Sequence, residues 1–243
     1  MKQYLTILLL LATTALASPD PRAILHQALN RLRGPAMTAT YTLVVERPDR
    51  SKTYELRVVS DGDRKALIRV ILPKRDAGQA FLTIGDDIWV YNPRLGRVLR
   101  LPPSGRNSRF LGSDVSYADL SGRDLEDYYQ PRTRGVNEDA ILLELTPKPH
   151  APTPWGKVTL AVEKKRVLPQ KIVYYDQRGN PVKEVVIGGF AEYAPGRYLI
   201  TTSKVRDLLN QGWRTRFEVS DWKVGPVPDG CFAQSALERG CRY

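Results

Sequence analysis

The chain has few of the side chains that most often carry out catalysis or bind metals. Its 243 residues include two histidines, His26 and His150, and two cysteines, Cys231 and Cys241. The spacings H-E-x-x-H and C-x-x-C are absent, and no acidic segment has the pattern of a calcium-binding loop. A G-x-S-x-G turn is also absent, so a Ser-His-Asp hydrolase would need an isolated histidine to meet distant partners. We therefore expect no catalytic residues, no metal and no cofactor.

Long apolar runs are absent after residue 17. Before it, Lys2 precedes the run YLTILLLL at 4–11, and Ala15-Leu16-Ala17 places small residues just before Ser18. This order predicts a secretory signal peptide over 1–17, cleaved after Ala17. An uncleaved membrane anchor is the alternative, although the run is shorter than the roughly 20 apolar residues of a spanning helix. No cysteine follows the run, so the mature N-terminus offers no site for lipid attachment. We expect an exported, soluble protein.

The charge of the chain is strongly basic, with a formal net charge of +11. The Lys and Arg residues are scattered through the sequence instead of forming one run, which favours a solvated surface over a nucleic-acid groove. Export also argues against nucleic acid. Transient attraction to anionic lipid headgroups or to an acidic partner is a secondary expectation.

The two cysteines lie close together near the C-terminus. In an exported protein, such a pair is expected to form a disulfide that closes a small loop, so we predict a Cys231–Cys241 bond. A metal pair is the alternative, but neither histidine lies near the two cysteines in sequence.

Apolar periodicity predicts one helix and many strands. Ile24, Leu25, Ala28, Leu29 and Leu32 share one helical stripe, which Pro21 suits at its start and Gly34-Pro35 ends. Alternating patterns then predict strands at 38–47, 52–61, 64–72, 80–84, 87–92, 97–101, 140–147, 157–164, 170–176, 182–193, 197–207 and 215–224. The region 103–122 is irregular or helical. The predicted fold is mainly β, a strongly curved, half-open antiparallel β-barrel covered by helices, in one domain over 18–243. A two-sheet sandwich is the alternative.

The block from 78 to 120 carries the most specific sequence. It contains GQAFL (78–82), Trp89/Tyr91/Pro93, GRVLR (96–100) and FLGSDVSYADL (110–120). These motifs resemble those of the LolA-like outer-membrane lipoprotein-sorting proteins, and so do LIRVILP (67–73), DLEDY (124–128) and the segment 155–180. The resemblance covers nearly all of the mature chain. Val115, where the family has an aromatic residue, Ala118, where it has Glu, and the C-terminal segment CFAQSALERGC depart from the pattern.

The resemblance implies a non-catalytic periplasmic carrier or chaperone. Its apolar interior would shelter the acyl chains of a lipid or lipoprotein on the way to the outer membrane, and an inner-membrane transporter would be a partner. Two other functions stay open. The same fold can serve as an envelope-sensing module, and a secreted hydrolase would require His26 or His150 to meet a nucleophile and an acid.

Two sets of residues are candidates for the site. The first set is predicted to line the apolar cavity, and packing in the core is the alternative for it. It consists of Ile24, Leu25, Leu29, Leu32, Phe81, Trp89, Tyr91, Phe110 and Tyr117. A loop that turns the chain and covers the mouth of the sheet is predicted for Arg97, Arg109, Gly112, Ser113, Asp114 and Asp119. In this loop, we expect Ser113 or Asp114 to cap a short helix over 115–120, and Arg97, Arg100 or Arg109 to pair with Asp114 or Asp119. Ordinary structural packing without ligand contact is the alternative for this loop.

Overall fold

The structure is a computed structural model that describes residues 20–62, 64–121 and 125–241. The predicted signal peptide lies outside the described residues. Within the described part of the chain, no helix is both long enough and apolar enough to cross a membrane.

The β-strands form one curved antiparallel sheet of 13 strands that does not close. They are β1 (Met37–Arg47), β2 (Arg50–Ser60), β3 (Lys65–Leu72), β4 (Ala80–Ile84), β5 (Asp87–Asn92), β6 (Arg97–Arg100), β7 (Tyr129–Val136), β8 (Ala140–Pro147), β9 (Lys157–Glu163), β10 (Leu168–Tyr175), β11 (Pro181–Ala194), β12 (Arg197–Asp207) and β13 (Arg214–Val224). Their spatial order runs from β6 to β1, continues with β13, and then runs back down to β7. The prediction of a curved, half-open sheet is confirmed, and the two-sheet sandwich is wrong.

The path of the chain explains where the FLGSDVSYADL motif lies. The chain enters the sheet near its middle, at β1, and adds strands outward to one edge, β6. The next strand, β7, forms the opposite edge, so the connection 101–128 has to pass from one edge to the other. The motif sits in this connection, which we call the crossing segment.

Three α-helices occur among the described residues: α1 (Pro21–Arg31), α2 (Leu125–Tyr128) and α3 (Gln234–Arg239). The predicted N-terminal helix is confirmed as α1, with Pro21 in its first turn. Asp20 caps it by accepting a hydrogen bond from the Arg22 N–H at 3.0 Å, which satisfies one of the free amides of the first turn. Its apolar stripe packs in one core with Tyr129 of β7, Leu143 of β8 and Leu160 of β9.

Side chains on each strand point alternately to two faces of the sheet. We call the face that bears Phe81 and Val185 the inner face, and the face that bears Leu82 and Val186 the outer face. On the inner face, α1 packs against Leu143 and its neighbours at one end, while the crossing segment packs against Phe81 and its neighbours at the other. These two packed regions leave the middle of the inner face between them.

The C-terminal segment covers part of the outer face. Leu237 of α3 is fully buried with Leu82 of β4. The Arg69 guanidinium donates to the carbonyls of Ala236 and Leu237, both at 2.8 Å, so carbonyls at the end of a short helix gain a partner. The predicted Cys231–Cys241 disulfide is confirmed, with the two Cα atoms 5.0 Å apart.

Most predicted strands are confirmed within one or two residues at each end, but β7 was missed. Its sequence, YQPRTRGV, contains Pro131 and Gly135 and lacks an apolar alternation. Proline and glycine are tolerated in an edge strand because one side of that strand needs no ladder partner.

Candidate functional site

A cavity of about 580 Å³ lies on the inner face, between the α1 end and the crossing-segment end of the sheet. Its floor is made by inner-face side chains of the middle strands, among them Val185 of β11 and Val205 of β12, which pair directly in register. Leu32, just after α1, contributes to one wall. Residues 115, 116 and 118–120 of the crossing segment contribute to another.

The cavity surface is mostly apolar and aromatic. Apolar and aromatic side chains that line it include Tyr41, Val58, Ile172, Val185, Leu199, Phe217 and Val219. Burial raises the pKa of the Tyr41 hydroxyl, so this group stays neutral at physiological pH. A wall of this composition favours hydrocarbon over water.

One charged pair is set into the apolar wall. The Lys183 ammonium lies 3.0 Å from both carboxylate oxygens of Asp119. It also lies over the rings of Tyr174 and Trp155, at 4.4 and 5.1 Å from their centroids. Lys183 is only 9% exposed, and burial raises the pKa of the Tyr174 hydroxyl well above its usual range. The pair therefore joins β11 to the crossing segment inside the cavity.

The FLGSDVSYADL motif folds back on itself. The Phe110 N–H donates to the Val115 carbonyl at 2.8 Å, and the Tyr117 N–H donates to the Ser108 carbonyl at 3.1 Å. Gly112 makes the reversal with φ of 74°, a left-handed conformation that glycine adopts at little cost. The loop is thus a compact cover with its own internal hydrogen bonds.

Asp114 attaches this loop to the sheet. Its carboxylate accepts hydrogen bonds from Arg47 at 3.0 Å, Arg109 at 2.6 Å and the Thr215 hydroxyl at 2.8 Å. Arg109 also donates a hydrogen bond to the Asp207 carboxylate at 2.5 Å. Burial opposes ionisation of Asp207, but hydrogen bonds from Arg109, Asn210 and the backbone outweigh burial and lower its pKa.

Trp213 completes the attachment. The guanidinium groups of Arg47 and Arg109 lie over its ring, at 4.2 and 4.7 Å from the centroid. These cation–π contacts hold both arginines against the hairpin between β12 and β13.

Of the residues predicted to line the cavity, Leu32 does so. Ile24 and Leu25 are buried in the core between α1 and the sheet, and Leu29 packs against that core. Phe81 and Phe110 meet edge to face, with ring centroids 4.9 Å apart, and Tyr117 packs on both rings. This aromatic cluster anchors the crossing segment beside the cavity.

Trp89 and Tyr91 lie on the outer face, away from the inner-face cavity that they were predicted to line. The register pairs Trp89 with Leu82 and Tyr91 with Ala80, whereas Phe81 pairs with Val90. Both aromatic residues pack with the C-terminal segment. Strand alternation places Trp89 and Tyr91 on one face of β5, but it does not tell which residues of the neighbouring strand share that face.

The residues predicted for the covering loop have different positions. Arg109 pairs with Asp114 as expected, whereas Asp119 pairs with Lys183, and Arg100 pairs with Asp87. Arg97 lies exposed on the edge strand β6. Ser113 accepts a hydrogen bond from the Val115 N–H at 3.2 Å. The segment 115–120 contains a 3-10 turn over Ala118–Ser121 in place of the expected helix.

Sequence reasoning missed Lys183, Trp155 and Tyr174. Trp155 and Tyr174 belong to the segment 155–180, which resembles the LolA-like family. That resemblance was the signal that could have identified them. Nothing in the local pattern indicates that Lys183 meets Asp119, since 64 positions separate them.

Both histidines are exposed and lie outside the cavity wall. His26 contacts the Glu126 carboxylate at 3.1 Å through Nδ1. Neither His26 nor Glu126 lines the cavity, so this pair does not provide the buried base that a Ser-His-Asp hydrolase would use there.

A second depression, of about 560 Å³, lies on the outer face and differs in character. It is lined by charged side chains such as Arg206 and Glu184, which form an ion pair with each other. Burial opposes ionisation of Glu184, but hydrogen bonds from Lys171 and Arg206 outweigh burial and lower its pKa. Since charged side chains line much of it, this surface is not an apolar binding site.

Comparisons with known proteins agree with this architecture. A family model described only as an uncharacterized protein family matches residues 62–239. No curated protein matches the chain. A structure from Vibrio parahaemolyticus, described as an outer membrane lipoprotein-sorting protein domain, is 24% identical with a TM-score of 0.78, over 90% of this chain and 98% of its own.

Two further structures are similar. A DUF1329 family protein from Desulfovibrio piger is 24% identical with a TM-score of 0.78, and a LolA superfamily protein from Nitrosomonas europaea is 24% identical with a TM-score of 0.73. Each alignment covers 90% of this chain and 99% of the other. At this identity, the likeness shows a shared fold, and the predicted resemblance to the LolA-like proteins is confirmed.

Proposed function

Since the chain belongs to the uncharacterized protein family whose model it matches, and since its fold is LolA-like, we propose that it is a non-catalytic carrier. Its cargo is a lipid or a lipidated protein, whose acyl chain it takes into the inner-face cavity. The predicted signal peptide supports a periplasmic location. An inner-membrane transporter as donor and the outer membrane as destination complete the proposal.

The cavity is the observation that carries this proposal. It is built from apolar side chains of the middle strands, which are left uncovered between two packed regions of the same face. Each methylene group that moves from water into such a surface contributes about 0.8 kcal/mol. A chain of ordinary length therefore binds by burial alone, without covalent chemistry.

The crossing segment suits the need to release cargo. Its residues 115, 116 and 118–120 form one wall of the cavity, and the Lys183–Asp119 pair attaches this part to the sheet. This part can move when that pair opens, because the backbone hydrogen bonds within the motif stay intact.

Two neighbouring valines provide a matched test of the cavity. Val185 lines the cavity on the inner face, and Val186, the next residue on β11, is 37% exposed on the outer face. We expect Val185→Trp to reduce the affinity for dodecanol and for dodecanoate by about tenfold or more, because the indole occupies space that the acyl chain needs. Val186→Trp should leave both affinities unchanged. Isothermal titration calorimetry on the purified mature protein measures both.

Binding of neither probe by the natural sequence would contradict the carrier proposal. Equal affinities in the two valine variants would contradict the assignment of the cavity as the binding site. Thermal unfolding of both variants checks that any loss reflects the cavity and not the fold.

A further inference from the structure

We propose that the cavity selects amphiphiles that place an anionic group beside one buried acyl chain, and that Lys183 recognises this group. The inference rests on the proposed function, since it defines the class of cargo that the same cavity takes. The anionic group is a carboxylate or a phosphate, as in a fatty acid or a lipid headgroup.

Lys183 lies where a purely hydrocarbon-binding wall would have an apolar residue. It follows the strand alternation of Val185 on β11, so its side chain points to the inner face and reaches the cavity. Removing an ammonium from water is costly unless a counter-charge compensates it. Packing alone does not explain a lysine here, because an apolar side chain of similar volume would avoid that cost.

The surroundings of Lys183 suit the exchange of one anion for another. The Tyr174 and Trp155 rings hold the ammonium by cation–π contacts without neutralising its charge. Its counter-ion, Asp119, has a side chain that is 28% exposed. Asp119 also accepts hydrogen bonds from the N–H and hydroxyl of Ser116, at 2.7 and 2.8 Å. The Asp119 carboxylate therefore keeps partners when a ligand takes its place at Lys183.

This exchange links the binding of the ligand anion to the crossing segment, which forms one wall of the cavity. Asp119 belongs to the crossing segment and Lys183 to the sheet, so the pair is one of the attachments between the two. A ligand anion that replaces Asp119 removes that attachment as it binds. Cargo recognition and movement of the wall thus share one pair of charges.

The size of the cavity limits the buried part to one chain. An apolar cavity of about 150 Å³ accommodates benzene. By that proportion, the 580 Å³ found here accommodates on the order of 20 carbon atoms. One acyl chain fits within this space, whereas two or three chains of common length exceed it.

The test compares probes that share a twelve-carbon chain. Dodecanol is neutral, dodecanoate carries a carboxylate, and dodecanoyl-lysophosphatidylglycerol carries a phosphate. We expect the natural sequence to bind at least one of the anions about tenfold or more tightly than dodecanol, since a hydrogen bond to a charged group is among the stronger ones. Lys183→Met, which keeps most of the side-chain length and loses the charge, should reduce this preference to about twofold or less.

Asp119→Asn gives the opposite change. It removes the carboxylate that competes for Lys183 but keeps an oxygen for Ser116, so we expect the preference for the anion to increase about threefold or more. A residue with a structural role only would not strengthen anion binding when its partner is neutralised. The double variant Lys183→Met/Asp119→Asn leaves no unpaired charge and checks that the loss in Lys183→Met is not caused by misfolding.

The outcomes separate this inference from the carrier proposal. If dodecanol binds as tightly as both anions, or if Lys183→Met and the double variant keep the preference, the inference is wrong while the carrier proposal stands. If none of the three probes binds, the carrier proposal itself fails. A preference for only the carboxylate or only the phosphate supports the inference and identifies the kind of cargo.

Discussion

At the scale of single residues, buried charges define how the crossing segment is attached. The Asp114 side chain is 1% exposed and the Arg47 side chain 7%, so both charges depend on each other and on Thr215 and Arg109. Asp119 and Lys183 form a second attachment, which is more exposed and lies within the cavity. We interpret the first as permanent and the second as exchangeable, because the cost of an uncompensated charge increases with its burial.

A substitution at Asp114 tests the permanent attachment. Asp114→Ala leaves the buried Arg47 guanidinium without its carboxylate, and losing one partner of a buried pair costs about 3–5 kcal/mol. We expect the free energy of unfolding, measured by urea denaturation, to decrease by about 3 kcal/mol.

Asp49→Ala is the matched control for Asp114→Ala. It removes the carboxylate that pairs with Arg50, but those side chains are 73% and 78% exposed. Exposed pairs contribute roughly 0–1 kcal/mol. Equal losses of stability in the two variants would show that Asp114 is not a principal attachment of the loop.

Some faces and contacts of single residues could not be predicted from the sequence. Alternation indicates that Tyr54, Leu56 and Val58 share a face, but the faces of Trp89 and Phe81 depend on the register of two strands. Contacts such as Asp114 with Thr215 join positions 101 residues apart. Local patterns contain no information on such pairs, because the order of the strands in the sheet determines them.

At the scale of elements, the strand pattern, α1 and the disulfide were predictable, since each leaves a local signal. The motif was predicted to form a covering loop, but its position follows from the topology, with β6 and β7 at opposite edges of the sheet. The C-terminal helix α3 was not predicted, because it has only six residues, with Ala236 and Leu237 as its buried apolar contacts.

The C-terminal element should stabilise the fold without taking part in binding. The Cys231–Cys241 bond closes a loop with a sequence separation of 10, and a loop of this length contributes about 2–3 kcal/mol through the entropy of the unfolded chain. We expect the double variant Cys231→Ala/Cys241→Ala to lose about that much stability in urea denaturation. Dodecanol affinity should stay within about twofold, because α3 packs on the outer face.

A clear loss of dodecanol affinity in this folded cysteine variant would contradict the separation of the two faces. It would mean that the cover on the outer face shapes the cavity on the inner one.

At the scale of the whole molecule, an open sheet of 13 strands has more inner surface than its covering elements fill. One end is occupied by α1 and the other by the crossing segment, and the apolar middle remains as the cavity. The resemblance predicted such a hollow, but strands β10 to β13 contribute lining residues that the sequence prediction did not include. Function as a carrier therefore requires this cavity to take up an acyl chain and to release it.

Transfer of lipid between membranes tests that claim most directly. Donor vesicles carry a pyrene-labelled fatty acid, acceptor vesicles do not, and the protein is added at increasing concentration. The account predicts a transfer rate that increases with protein for the natural sequence and for Val186→Trp, and a much lower rate for Val185→Trp. Binding without transfer would favour the sensing function, and equal transfer by all three proteins would contradict the cavity as the carrier site.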